Sequence, residues 1–393
     1  MKHGRIVIVG AGQGGFQAAA SLRQEGFEGD ITLIGEEPGL PYQRPPLSKA
    51  YLKTGNADQL ALRPASFYDK KDISLRTGLR IDRIDREAHQ VVTSDGEHLP
   101  YDHLILATGA RTRRPPIDGL GHALDLRTLA DAERLLGALD RPCRVAVIGG
   151  GFIGLEFAAV AIGLGHVVEV AEAAPRVMAR AVSPEMSRLF QEMHADIGAV
   201  LHLGRSVRLV EQDRITLDCG TAIPADLVVL AAGVQPNMEL AGEAGLACDN
   251  GIVVDAQMST ADPAISALGD CAVFPDPRTG RQVRLESVQA ATDQARAIAK
   301  RLVHGADDPY SAVPWFWSDQ GDWKLQIAGF GGPQDESVRV GENAILRFDG
   351  EALSAVETVN NPKLHMKARR LMADRACPTR QELAAEGFDL LAF

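Results

Sequence analysis

The chain has 393 residues, 45% of them hydrophobic and 24% charged, with a formal net charge of −11. That length accommodates two or three domains, the composition excludes a disordered chain, and the acidic balance excludes a protein built mainly to bind nucleic acid. No run approaches the ~20 apolar residues that span a bilayer, no signal-peptide core follows Met1, and the five scattered cysteines form no Cys-x-x-Cys pair. The expectation is therefore a cytoplasmic protein without a membrane span, a redox dithiol or a zinc or iron–sulfur cluster.

Arg5 to Val9 is a short, β-branched apolar run, as expected of a buried parallel strand. Gly10, Gly12 and Gly15 follow in the spacing Gly-x-Gly-x-x-Gly, then an Ala-rich helical stretch from Phe16 to Gln24, then a second strand from Asp30 that ends at Glu36. In a dinucleotide site the first glycine makes the tight turn, the second admits a pyrophosphate and the third lets helix pack on strand. The helix then offers its unpaired N–H groups and positive dipole end to the phosphates. Glu36, 21 residues beyond Gly15, stands where a carboxylate accepts ribose hydroxyls. A closing strand begins at Leu104 and ends in Ala107-Thr108-Gly109.

The layout repeats with an offset of 139 residues from Gly10 to Gly149. Arg144 to Ile148 reads as a strand, Gly149, Gly151 and Gly154 as the turn, Leu155 to Leu164 as the helix and His166 to Glu172 as the second strand. Leu227 to Gly233 closes this copy. A further strand, Ala264 to Gly269, runs into Asp270 and has no visible counterpart in the second copy. Arg113-Arg114-Pro115-Pro116 and Gln235-Pro236-Asn237 read as two crossings. The organisation expected is nested: a discontinuous dinucleotide-binding domain over 1–113 and 240–312, a second over 114–239, and an α+β domain over 313–393. All three tryptophans lie between Trp315 and Trp323, where the composition changes and alternating strands begin.

Two dinucleotide sites imply two dinucleotides, most usefully FAD in one and a nicotinamide in the other, with hydride passing between the rings. A carboxylate at Glu172 suits a free ribose 2′-hydroxyl and repels a 2′-phosphate, which favours NADH over NADPH. Arg176 nearby argues the other way. The ten histidines show no ligand spacing, so no metal is expected. Cys271 reads as packing, since no second cysteine is near it in sequence.

These features resemble the FAD-dependent pyridine nucleotide oxidoreductases, and within them the NADH-dependent ferredoxin reductases that serve bacterial monooxygenases and ring dioxygenases. The matching segments are Arg44-Pro-Pro-Leu-Ser-Lys49, Ala107-Thr108-Gly109, Gly269-Asp270, Glu286-Ser-Val-Gln-Ala290 and Pro314-Trp-Phe-Trp-Ser-Asp319. The resemblance implies a glutathione-reductase-like architecture: an α/β chain of two nested Rossmann-like domains with a C-terminal α+β domain. It implies that Arg44 and Lys49 contact the flavin, with Lys49 near N5, and that Glu156 lies near the nicotinamide and pairs with Lys49. It places Asp270 on the ribityl chain, the Val288 backbone at the flavin edge, Gly233 near the nicotinamide, and Trp317 near the flavin or the surface where electrons leave. Lys49 alone would read as a solvated lysine, Glu156 as an exposed helix acid, and one of Trp315 and Trp317 as core.

The activity implied is hydride transfer from NADH to flavin N5, then two single-electron transfers to an acidic two-iron, two-sulfur ferredoxin that docks transiently. The protein would be a monomer or weak homodimer. An NADH oxidase, or a redox sensor that holds its flavin reduced, is the alternative. Among the residues 361–376, Lys363, Lys367, Arg369, Arg370 and Arg375 stand against Asp374 alone. This basic run is either a solvated helix face or the ferredoxin docking patch.

Overall fold

A computed structural model describes residues 3–278 and 280–393. The chain packs as two compact units, one formed by Met1–Gln43, Asp58–Arg111 and Gln235–Ala312, the other by Arg44–Ala57, Thr112–Val234 and Val313–Phe393. The architecture is α/β, with two parallel sheets and a C-terminal antiparallel sheet.

The first unit is built on a five-stranded parallel sheet. Its strand order is Ile265–Ala267, His103–Leu106, Arg5–Val9, Asp30–Gly35, Ile73–Thr77. Both faces are covered, so the central strands are apolar throughout rather than alternating; Ile6, Ile8, Leu33, Leu104 and Ile105 are all buried. The helices Gln13–Gln24 and Val288–His304 pack against each other.

The second unit contains a parallel sheet of the same arrangement, which reads from its opposite edge as Val200–Leu203, Val167–Glu172, Arg144–Ile148, Leu227–Leu230, Leu124–Asp125. The strand Leu124–Asp125 holds the edge position that Ile265–Ala267 holds in the first sheet. The strand after Ala264 thus has a spatial counterpart after all. It is two residues long, too short to show a period in sequence. The repeat extends to the lower edges of both sheets. Arg5 meets Asp102 through its backbone N–H (2.7 Å), Nε (3.1 Å) and a terminal guanidinium nitrogen (3.0 Å). Arg144 meets Asp226 through the same three groups at 2.9, 3.0 and 2.6 Å.

The C-terminal sheet runs Trp315–Gln320, Trp323–Gly329, Ala352–Val359, Ala344–Asp349, Glu336–Val340, all antiparallel. The helix Pro362–Ala373 covers one face through Leu364, Ala368 and Leu371. On the other side Leu325, Ile327, Ile345 and Val359 join Leu155, Met186 and Phe190 in one apolar cluster, which is why this sheet belongs to the second unit. Among the described residues no helix is long and apolar enough to cross a membrane, and no group of three or more His, Cys, Asp or Glu could hold a metal ion.

Two buried histidines make the fold acid-sensitive. Burial, helped by the nearby Arg301 cation, lowers His103 to about 3. Burial and the Arg369 cation lower His365 to about 4. Below the unfolded value of about 6.5, the unfolded chain binds protons that the folded chain refuses. Stability is therefore intact above that value and falls as pH drops, by about 2 kcal/mol per histidine at pH 5. The melting temperature should fall between pH 7.5 and 5, and less steeply in His365→Phe. A flat profile over that window would remove the histidines from the account.

Candidate functional site

The first glycine turn sits where the strand Arg5–Val9 ends. Gly10 has φ +109°, and a Cβ there would lie 2.1 Å from the Ala107 carbonyl oxygen. A Cβ on Gly15 would lie 1.8 Å from the Gly10 carbonyl oxygen. These two glycines answer to the protein's own backbone. Gly12 does not: a Cβ there meets nothing within 4 Å. Gly12 is also the N-cap of the helix Gln13–Gln24, with no side-chain bond to the cap and no acid in the first turn. An open glycine at an uncapped helix start is a fit for a pyrophosphate. Glu36, exposed, follows the neighbouring strand, whose last residue Gly35 packs on Ala11.

The remaining first-unit residues collect at the same sheet edge, since all five strands are parallel. Ala107, Thr108 and Gly109 continue the strand His103–Leu106; Thr108 Oγ1 donates to the Asn237 carbonyl (2.6 Å) and the Asn237 amide donates back to the Thr108 carbonyl (2.9 Å). The turn Gly269–Cys271 holds Asp270, half-buried, and the Gly269 N–H is pinned by Gln294 Oε1 at 2.7 Å. Val288 is the first residue of the helix Val288–His304, and Ser287 caps it by accepting from the Ala290 N–H at 3.1 Å. Gly14 lies against Leu268 and Ala291, which brings the two helix starts together. Cys271 is fully buried, its thiol pushed up by burial and directed at the Leu268 carbonyl (3.2 Å).

In the second unit the turn is the same. Gly149 has φ +112° with its missing Cβ 2.4 Å from the Ala231 carbonyl oxygen; a Cβ on Gly154 would strike Gly149 at 2.1 Å. Gly151 again faces open space and again caps its helix, Phe152–Gly163, without a side-chain bond. Glu172 ends the strand Val167–Glu172. Its carboxylate accepts from the Gly150 N–H (2.6 Å) and the Ala174 N–H (2.7 Å), so it is fixed against the turn. Each oxygen keeps lone pairs for a ribose hydroxyl.

Arg176 does not compete with Glu172. Its guanidinium donates to the Ala179 carbonyl (2.8 Å), the Val182 carbonyl (2.8 Å) and Ser187 Oγ (2.6 Å). It ties a loop, and burial lowers its pKa. Gly233, φ +90°, accepts the Arg113 N–H at 2.9 Å.

Lys49 and Glu156 meet in this unit. Lys49 Nζ lies 2.9 Å from Glu156 Oε2, with the two side chains 17% and 6% exposed. Lys49 also donates to the Pro45 carbonyl at 3.2 Å. Glu156 stands one turn into the helix that Gly151 caps. Arg44, from the same segment as Lys49, donates to the Arg127 carbonyl at 2.8 Å. Trp317 is half-buried on the strand Trp315–Gln320, its ring 5.6 Å from that of Trp315 and tilted by 31°. Trp315 in turn lies under the Arg369 guanidinium at 4.2 Å and against His365 at 5.8 Å.

Two residues of this site escape the sequence reading. Ser48 Oγ donates to Glu156 Oε2 at 2.6 Å and Ser318 Oγ to Glu156 Oε1 at 2.8 Å. The signal for Ser318 was its alternation with Trp315 and Trp317. It shares the buried face of its strand with Phe316 and Gln320, and polar residues at such positions demand partners.

Residues 4–295 match the family described as pyridine nucleotide-disulphide oxidoreductase, and residues 315–393 match the reductase C-terminal family. Rhodocoxin reductase of Rhodococcus erythropolis is 47% identical over 98% of this chain and 93% of its own. The ferredoxin reductase for the CYP199A2 system from Rhodopseudomonas palustris superposes with a TM-score of 0.95 at 43% identity, covering 99% of each chain. The reductase in the covalent putidaredoxin reductase–putidaredoxin complex gives 0.91 at 39% identity, over 95% of this chain and 93% of that one.

Proposed function

The chain belongs to the pyridine nucleotide-disulphide oxidoreductase family, as a ferredoxin reductase that binds FAD and uses NAD(H), and we propose that NADH is its donor and an acidic two-iron, two-sulfur ferredoxin its acceptor. The reading rests on the Lys49–Glu156 pair, held one helical turn inside the open Gly151. Bound FAD supplies a hydride acceptor and a store from which electrons leave singly.

The chain's own residues divide the remaining work. Gly10, Gly12, Gly15, Glu36, Ala107, Thr108, Gly109, Asp270 and Val288 hold FAD; Arg44, Lys49 and Trp317 are the further residues that the family resemblance gives to the flavin. Gly149, Gly151, Gly154, Glu172 and Gly233 hold NADH, and Glu156 orients it through Lys49. In this reading 1–113 and 240–312 serve FAD, 114–239 serves NADH and 313–393 serves the partner. In this reading the Ser287-capped helix start offers its partial positive charge to the anionic edge of a reduced flavin. The protein acts in the cytoplasm, as a monomer or weak homodimer.

The partner surface is the helix Pro362–Ala373. Lys363, Met366, Lys367 and Arg370 recur at helical spacing on the face opposite buried Leu364, Ala368 and Leu371. Met366 is 66% exposed. An apolar centre ringed by cations fits a transient, charge-steered partner. Trp317, Trp315 and Arg369 form a continuous stack leading to this helix.

Anaerobic titration with NADH, followed by an oxidised two-iron, two-sulfur ferredoxin, tests the reading. Bleaching and then rapid reoxidation are expected. Bleaching without transfer to any of several ferredoxins would favour an oxidase or sensor; no bleaching would dismiss the nicotinamide assignment. Glu172→Ala should narrow the preference for NADH over NADPH on the order of tenfold, since one charged hydrogen bond and one repulsion are lost. An unchanged ratio of the two kcat/KM values would clear Glu172 of that role.

A further inference from the structure

Glu156 is gripped from both sides, and one grip leads deep into the protein. Its Oε2 receives Lys49 and Ser48; its Oε1 receives Ser318. Ser318 Oγ accepts from Gln320 Nε2 at 3.0 Å, and Gln320 Oε1 lies 2.8 Å from His194 Nε2. Glu156 is 5% exposed, and Ser318, Gln320 and His194 are 0% exposed.

The direction of each bond follows from donor chemistry. A carbonyl oxygen only accepts, so His194 Nε2–H donates to Gln320. The Gln320 amide N–H then donates to Ser318, which leaves the Ser318 hydroxyl proton for the carboxylate. Three donors in series point at one oxygen, each polarising the next. His194 Nδ1 has no partner among the described residues, and burial lowers the ring's pKa. The chain therefore ends at a neutral imidazole.

We propose that Ser318, backed by Gln320 and His194, is a positioning residue for hydride transfer, fixing the Glu156 carboxylate and through it the Lys49 ammonium. The inference rests on the nicotinamide reading of Glu156 made above. Without Ser318, Oε1 is a buried carboxylate oxygen lacking its donor, and the carboxylate turns about its remaining bonds to Ser48 and Lys49. A misplaced orienting group costs rate even when substrate still binds.

The experiment compares Ser318→Ala in the parent holoenzyme and in Glu156→Ala. In the parent, the limiting rate of anaerobic bleaching by NADH should fall on the order of tenfold, the half-saturating NADH concentration should hold, and the flavin midpoint potential should move. In Glu156→Ala, neither rate nor potential should change further, because the residue acts through that carboxylate. FAD content and melting temperature report folding. Gln320→Met, which removes both the donor to Ser318 and the acceptor of the His194 Nε2–H and leaves the Ser318 hydroxyl on Glu156 in place, should give a smaller loss in the same direction if Ser318→Ala folds poorly. Unchanged rate and potential in both Ser318→Ala and Gln320→Met, or equal losses in the two backgrounds, would overturn the proposal. A parent protein that NADH does not bleach would overturn the nicotinamide reading and this inference together.

Discussion

Replacing Glu156 with Gln is expected to slow bleaching by NADH on the order of a hundredfold. The substitution keeps the shape of the side chain and removes its charge. Lys49, only 17% exposed and 2.9 Å away, then keeps the Pro45 carbonyl but loses its anion. An ammonium in that position is a poorly compensated buried charge, and it must move. Lys49→Met leaves the converse, a carboxylate held by two hydroxyls alone, and should cost about as much. The double variant should be little worse than the poorer single one, because the pair acts as a unit. Stopped-flow bleaching measures all three. Parent-like rates in both single variants would take the pair out of the hydride step and leave it a structural ion pair.

Reversing Lys367 and Arg370 to Glu is expected to lower kcat/KM for ferredoxin by roughly tenfold per charge at low salt, and to leave NADH-to-dye reduction at the parent level. The two cations sit on the exposed face of the helix Pro362–Ala373, flanking Met366. Neither supports the core: Leu364, Ala368 and Leu371 face inward. Arg370 pairs with Asp374 at 3.7 Å, both largely exposed, an interaction worth little. The loss should shrink as salt is raised, since screening removes steering. An equal loss of dye and ferredoxin reduction would mean that the helix was disturbed rather than its charge. Arg369 is left alone in this test because it stacks on Trp315.

The glycine turns are legible in sequence because their demands are local. Gly10 and Gly149 need positive φ, and no other residue takes it cheaply. Helix starts are equally local: Ser287 caps its helix, and Thr379 caps Arg380–Ala385 with Glu382 in a reciprocal box. What escapes is whatever depends on contacts far apart in the chain. Ser318 lies 162 residues from Glu156, and no spacing rule joins them. The loop-tying role of Arg176 depends on Ala179, Val182 and Ser187 folding round it, so its position beside Glu172 in sequence suggests a phosphate ligand that its bonds exclude. The segment Arg44–Ala57 reads as part of the first copy, yet it packs with the second unit. Lys49, Ser48 and Arg44 each bond to residues beyond position 112, which no local pattern announces.

The paired Arg–Asp forks bear on how such a chain diversifies. Each fork braces the amino ends of its strands, and each glycine turn lies at the carboxyl ends. Bracing and ligand choice are thus assigned to opposite rims of the same sheet. A duplicated copy can exchange one dinucleotide for another by drift along the upper rim while the lower rim stays under unchanged constraint. On the assignment proposed above, two copies with different ligands and one shared brace are what that separation leaves behind.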